Sequence, residues 1–333
     1  MSKKSKTKSK LSTVAETPAY SAPAPLEPSR TLGLLVLLML IIFTSVWLTR
    51  ESIESRSSER AVAETMVDQQ SLDGFDQEAW FLPDDNAWGF VEIPAGSFTM
   101  GSNPAIDSMA YGNEQWSRRQ RQGNVELPLY YISRYETTVA QFKAYLADTE
   151  KSSEALNLGV AGNFPIAGVT WSEALAYARW LEQKLRQSAE TPTELKAFLD
   201  AGAHITLPSE AEWEKAARGT DNKVFPWGSR VRTDLANYNS GAPLIVGALP
   251  CPACSYGISD MSGNLWELTR SPLQDYPYTT EDDEAELDAD ALWVMRGGSY
   301  ADQVNNVRAA VRGGVDPSVR NLTIGFRLVI SAL

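Results

Sequence analysis

A chain of 333 residues, 43% of them hydrophobic, holds enough apolar material for one sizeable core, and its formal charge of -12 is unevenly placed. Residues 1–30 carry six Lys/Arg against two Glu and residues 31–50 add only Arg50, so 23 basic and 40 acidic residues remain from position 51 onward, a net of -17. A surface of that sign repels phosphate backbones and anionic headgroups, which excludes nucleic-acid binding and favours cationic partners or calcium.

Residues 1–30, rich in Lys, Ser, Thr, Ala and Pro and without apolar periodicity, are expected to form a disordered basic tail. Residues 31–49, from Thr31 through Thr49 (TLGLLVLLMLIIFTSVWLT), are 19 positions without a charge. That run is long enough, at about 1.5 Å per residue, to cross a hydrocarbon core of roughly 30 Å. A cleaved signal peptide is the alternative. Against it stand the long N-terminal extension and the position of the nearest small-x-small site, Ala61-Val62-Ala63, well past the apolar run. The reading is a retained transmembrane signal anchor. Lys3, Lys4, Lys6, Lys8 and Lys10 put the N-terminus in the cytoplasm, and Trp47 stands where an interfacial aromatic belongs. A bacterial inner-membrane protein with a periplasmic C-terminal domain is the expectation. Residues 50–89 read as a stalk, and the folded domain is expected over 90–333.

From Phe90, FVEIPAGSFTMGS supplies two short apolar runs broken by Pro-Ala-Gly, a hairpin pattern. Four helices follow. Residues 138–147 set Val139, Phe142, Tyr145 and Leu146 on one face, with Thr137 or Thr138 as cap. Over 170–185, Thr170 and Glu173 form a capping box ahead of the stripe Ala174, Tyr177, Ala178, Leu181 and Leu185. Thr191, Pro192 and Glu194 open a third helix with Leu195, Phe198 and Leu199 on its apolar face, stopped by Gly202. Ser209 and Glu212 cap a fourth, carrying Trp213, Ala216 and Ala217 and ending before Gly219. Ile324, Phe326, Leu328 and Ile330 alternate as a half-buried strand does. Few helices, short strands and long Gly-, Asn- and Trp-rich loops make an α+β fold in which loops hold much of the backbone.

The ordered segments FVEIPAGSFTMGS, ISRYETTVAQFKAYL, PIAGVTWSEALAYARWLEQKL, ITLPSEAEWEKAARGT with FPWG, LANYNSG, YGISDMSGNLWELTRSP, VMRGGSY and RAAVRGG with NLTIGFRLV come in one order across roughly 90–331. Together they resemble the formylglycine-generating enzyme, or sulfatase-modifying factor, family. The resemblance implies a loop-rich variant of the C-type lectin fold. Gly257, Gly263, Gly297 and Gly298 are then expected at positive φ or close backbone approach. Trp171, Trp213, Trp227 and Trp266 are expected as core anchors, with sugar stacking as the sharper alternative.

In catalytic members of that family, two cysteines just after the Gly-Gly-Ser turn bind copper and activate oxygen to oxidise a substrate cysteine, chemistry that needs soft thiolates. Here the turn reads RGGSYADQVNNVRAAVR. Asp302 takes the first cysteine position and Val307 approximately the second, so no copper site is expected and a non-catalytic member is implied, with an oxidoreductase of the formylglycine-generating type acting by another route as the alternative. Ser299 matches the family's pocket serine. With it, Tyr300, Asp302, Gln303, Asn305, Asn306 and Arg308 are the candidate groove residues for a protein or peptide partner, such as a membrane kinase or secretion machinery. For Arg296, Arg308 and Arg312 the competing reading is simple pairing with the domain's excess carboxylates.

Cys251 and Cys254 are the only cysteines. In an oxidising compartment they form a local disulfide, with free thiols or a redox pair as alternatives, although no βαβ pattern surrounds the motif. The single His204 leaves zinc and histidine-based iron sites without ligands and reads as a structural residue. The resemblance places calcium, which takes hard oxygen ligands, at Asn264 with Glu267 and at Asn237 with the Tyr238 carbonyl. A structural Asn264 in a tight turn after Gly263 is the equal alternative. The acidic run Glu281, Asp282, Asp283, Glu284, Glu286, Asp288 and Asp290 lacks the glycine and the ligand spacing of an EF-hand loop and reads as a solvated insertion.

Overall fold

A computed structural model describes residues 86–284 and 291–333 together with Met39, Leu40, Thr44 and Ser45. Among the described residues no helix is long and apolar enough to cross a membrane. The tail and the stalk up to position 85, and all of the 31–49 run except those four positions, lie outside them.

Strand β1 (Phe90–Ile93) pairs antiparallel with β4 (Tyr130–Ser133), while β2 (Gly96–Met100) pairs with β3 (Gly123–Leu127). The expected hairpin of the two opening runs is therefore not formed. Pro94 has no N–H to donate across a hairpin, and Gly96, at φ 129°, turns the chain into a different sheet. The carbonyls of Pro94 and Gly96 at this corner each accept from the Lys215 ammonium, at 2.6 and 2.9 Å.

Helices α1 (Val139–Thr149), α2 (Trp171–Gln187), α3 (Thr193–Asp200) and α4 (Glu210–Arg218) stand where their caps and stripes place them. Thr138, Thr170 and Ser209 each close a reciprocal capping box, with Gln141, Glu173 and Glu212. At α3 the expected cap differs. Thr191 turns inward and donates to the Leu185 carbonyl at 2.6 Å, leaving Pro192 at the cap position without a side-chain bond. Phe142 and Tyr145 from α1 and Tyr177 and Trp180 from α2 form one aromatic cluster with ring centroids 5.4 to 5.8 Å apart.

Strand β5 (His204–Thr206) leads into α4, and β6 (Trp266–Pro272), β7 (Trp293–Arg296) and β8 (Arg312–Val315) form an antiparallel set. The alternating segment at 324–330 does not become one half-buried strand. It divides into β9 (Ile324–Gly325), parallel to β6, and β10 (Val329–Ser331), inserted between β4 and β5. Every residue of it is buried, because the intervening charge, Arg327, finds Glu267 inside the protein.

Helix α4 also departs from amphipathic expectation. All nine of its residues are buried, among them Glu210, Glu212, Glu214, Lys215 and Arg218. Burial of so many charges requires partners. Arg270 and the Ser331 hydroxyl reach Glu212 at 2.5 and 2.6 Å, and Arg218 reaches Glu214 at 2.7 Å.

Candidate functional site

The Gly-Gly-Ser turn leaves β7 at Arg296, whose two terminal nitrogens bond Glu210 and Glu214 of α4 at 2.6 Å each. Arg312, at the start of β8, closes the same segment from its other end with 2.5 and 2.8 Å bonds to Glu210. Burial alone pushes the Glu210 carboxyl up, but Arg312 and Arg296 beside it hold it below the ordinary carboxylate range. Between these clamps the chain turns tightly. Gly257, Gly263, Gly297 and Gly298 all have positive φ. A Cβ on Gly263 would overlap the Asn237 carbonyl oxygen, and one on Gly298 would overlap that of Asn306.

Asp302 takes a structural position inside this loop. Its Oδ2 accepts from the Trp266 indole at 2.8 Å and from the Ser299 hydroxyl and amide at 2.6 and 3.0 Å, and its Oδ1 accepts from Asn306 at 2.8 Å. Val307 is fully buried beside Val224 and Phe225. Cuprous ion requires soft donors; here one position offers a carboxylate already holding four hydrogen bonds and the other no donor atom. These residues do not fit the family's copper.

Ser299 is buried, and Tyr300 is half-buried with its amide donating to the Asn264 carbonyl at 2.8 Å. Arg308, expected at the surface, is instead fully buried. It bonds Asp107 at 2.6 Å and Glu114 at 2.7 and 2.8 Å, and lies over the Tyr111 ring at 5.2 Å. Two acids about two hundred positions upstream neutralise it, so it can contact no partner. Arg296 and Arg312 are paired in the same way. What remains accessible is an amide-rich rim. Gln303 donates to Asn239 at 2.8 Å, Tyr111 donates to Asn306 at 2.9 Å, and Asn305 donates to the Tyr111 hydroxyl. Tyr111 and Asn239 were not legible as site residues, because the contacts that bring them here span 195 and 64 positions.

All three side chains read for calcium have protein partners. Glu267 is fully buried and accepts from Arg327 on both oxygens, at 2.5 and 2.6 Å, and from the Trp213 indole at 2.6 Å. Asn264 accepts from Asn237 at 3.1 Å and the Leu244 amide at 2.9 Å, and donates to Glu136 at 2.5 Å. Asn237 accepts from Ser240 at 2.6 Å. Among the described residues no cluster of three or more His, Cys, Asp or Glu side chains is arranged to hold a metal. Beside this network Glu136 is pushed well up by burial, by Asp260 and by Glu267, and Asp260 is itself pushed up to about 6, chiefly by burial.

Cys251 and Cys254 are joined as a disulfide. His204 is exposed, 3.2 Å from Glu182. Trp213 and Trp266 are buried, whereas Trp171 and Trp227 are only partly so, stacked on Trp293 at 4.0 Å and Phe225 at 5.3 Å. Asp283 is not solvated as its run implied: it accepts from Tyr278 at 2.6 Å and from Ser271. Residues 285–290 of that run lie outside the described positions.

A mixed α/β domain with a Gly-Gly-Ser turn clamped onto a buried charged helix defines the class to which this protein is similar. Among solved structures the fold matches PvdO from Pseudomonas aeruginosa (TM-score 0.59, 24% identity, 73% of this chain and 94% of that one). It also matches Treponema denticola variable protein 1 (TM-score 0.55, 23% identity, 73% and 94%). The chain belongs to the sulfatase-modifying factor enzyme 1-like family, whose model spans residues 82–332. It is 28% identical to a hercynine oxygenase of Mycolicibacterium smegmatis over 72% of this chain, and spans 60% of that relative's length. It is 26% identical to the inactive C-alpha-formylglycine-generating enzyme 2 of Mus musculus over 73% of this chain and 85% of that protein. To the formylglycine-generating enzyme of Thermomonospora curvata it is 27% identical, over 75% and 96%.

Proposed function

We propose that this protein is a non-catalytic member of its family, a binding or regulatory module anchored through residues 31–49 with its domain outside the cytoplasm. The rim formed by Tyr111, Asn239, Gln303, Asn305 and Asn306 takes a peptide segment of a protein partner. The observation that supports this reading is the use of the two positions the resemblance assigns to cysteines: Asp302 is spent on holding the loop, and Val307 is packed in the core. Side-chain amides along a half-open rim suit an extended peptide, since each can donate to and accept from a backbone. The similarity to an inactive relative, covered over 85% of its length, supports the same direction.

The full chain, incubated with copper, a reductant and a peptide carrying a sulfatase cysteine motif, is expected to leave that cysteine unchanged by mass spectrometry. Formylglycine in the peptide would overturn the proposal. In membranes, a photo-crosslinker placed at Gln303 is expected to capture a discrete partner that Asn305→Ala and Asn306→Ala weaken. Unchanged labelling in those variants would count equally against it.

A further inference from the structure

Next to the rim, on the other side of the short turn at Gly112–Glu114, lies an open cleft of about 460 Å³. Its wall is built. The Trp116 amide donates to the Arg121 carbonyl at 2.9 Å and the Ser117 amide to that of Gln120 at 2.7 Å. The Ser117 hydroxyl in turn accepts from the amides of Arg119 and Gln120 at 3.3 and 2.9 Å. This tight turn displays Arg118, Arg119 and Arg121 together, all exposed. Neither Arg118 nor Arg119 has a side-chain hydrogen bond or ion pair among the described residues. At the base the Trp116 ring lies against Gly123, where a Cβ would overlap the indole, and against Tyr276 at 4.8 Å. Arg312 lies over the Tyr276 ring at 4.0 Å, and both rings are half-buried. Asp275 stands among the lining residues with no arginine partner among the described residues.

Three exposed arginines on one turn are anomalous on a segment whose net charge is -17. Elsewhere in the domain the arginines at 296, 308, 312 and 327 are neutralised in the interior. Guanidinium forks match carboxylates in a paired geometry, and in a negative field such a turn offers an acidic ligand local attraction. We infer that the cleft binds an acidic peptide segment whose carboxylates face Arg118, Arg119 and Arg121. Alternate residues of an extended peptide point the same way, which lets acidic positions meet the arginines while the others face Asp275. This deepens and rests on the peptide-binding reading of the neighbouring rim, by naming the chemistry of the partner.

The test uses the full chain in non-ionic detergent and a short fluorescein-labelled peptide alternating Glu and Ser, read by anisotropy. Binding is expected for that peptide and not for its Gln or Lys analogues, weakening as salt rises from about 50 to about 200 mM. The double substitution Arg118→Glu with Arg119→Glu is expected to lower affinity at least about tenfold and to create binding of the Lys peptide. Equal binding of the Gln peptide, or an unchanged affinity in the double variant, overturns the inference. So does capture of phosphatidylglycerol vesicles through these arginines without Glu-peptide binding. If Asn305→Ala and Asn306→Ala leave Glu-peptide binding intact while the arginine substitutions abolish it, the cleft stands and the rim reading falls. The converse pattern removes the cleft and keeps the rim.

Discussion

Replacing Glu267 by Gln removes one charge and almost no volume from the centre of the domain. Both Glu267 and Arg327 are fully buried, and the guanidinium meets both carboxylate oxygens at 2.5 and 2.6 Å while the Trp213 indole meets one of them at 2.6 Å. A Gln amide keeps one acceptor but turns its NH2 toward a guanidinium or an indole N–H, depriving a buried cation of its hydrogen-bonded counter-charge. Losing one partner of a buried pair costs about 3–5 kcal/mol. In a domain of this size each kcal/mol moves Tm by about 2–4 °C, so Glu267→Gln should melt roughly 6–20 °C lower. Urea unfolding of the full chain followed by tryptophan fluorescence measures the loss. The double variant Glu267→Gln with Arg327→Met should be less destabilised than the sum of the singles by about 1–3 kcal/mol. A loss below about 1 kcal/mol, or additivity within about 0.5 kcal/mol, would refute the ion-pair account. The same experiment separates the ion pair from calcium ligation. A metal held by Glu267 stabilises the parent protein in calcium over chelator and fails to do so in the variant, whereas the ion pair predicts the same loss in both buffers.

Two more outcomes follow from the neighbouring geometry. Asp260, pushed up to about 6 mainly by burial, binds its proton more tightly folded than unfolded, where a carboxyl titrates near about 3.9. Its stabilising contribution is therefore complete below about pH 4 and lost as pH rises through about 6. Asp260→Asn, which keeps an acceptor for the Gly247 amide, should flatten the stability profile across that window; parallel profiles would refute the assignment. Gly263→Ala drives a methyl into the Asn237 carbonyl at a residue with φ of 79°, so a loss above about 2 kcal/mol is expected in urea unfolding, and a neutral result would contradict the turn geometry.

Local features were legible in the sequence, and long-range pairings were not. Capping boxes at Thr170 and Ser209 are read from residues three apart, and both helices begin where those residues say. The assignment of Asp302 and Val307 to the resemblance's cysteine positions also draws on a single segment, so it needed no long-range information. Pro94-Ala95-Gly96 reads as a hairpin turn only when the partners of the flanking strands are unknown, and those partners lie at Gly123–Leu127 and Tyr130–Ser133. For Arg308 the pairing reading holds and the groove reading does not; which acids pair with it was illegible, because Asp107 and Glu114 belong to a loop that no periodicity ties to it. Arg327 misled the strand reading in the same manner. The missing information in each case was the position of a counter-charge.

The order β1-β4-β10-β5 places a strand from residues 329–331 between two that precede it by well over a hundred residues. During synthesis β4 and β5 are both made long before their common neighbour exists, so each carries an unpaired edge until that neighbour arrives. The domain therefore cannot mature progressively from its first strand onward. The sheet is complete only once residue 331 has been made, and the strand edges that β10 covers stay open to pairing with other chains until then.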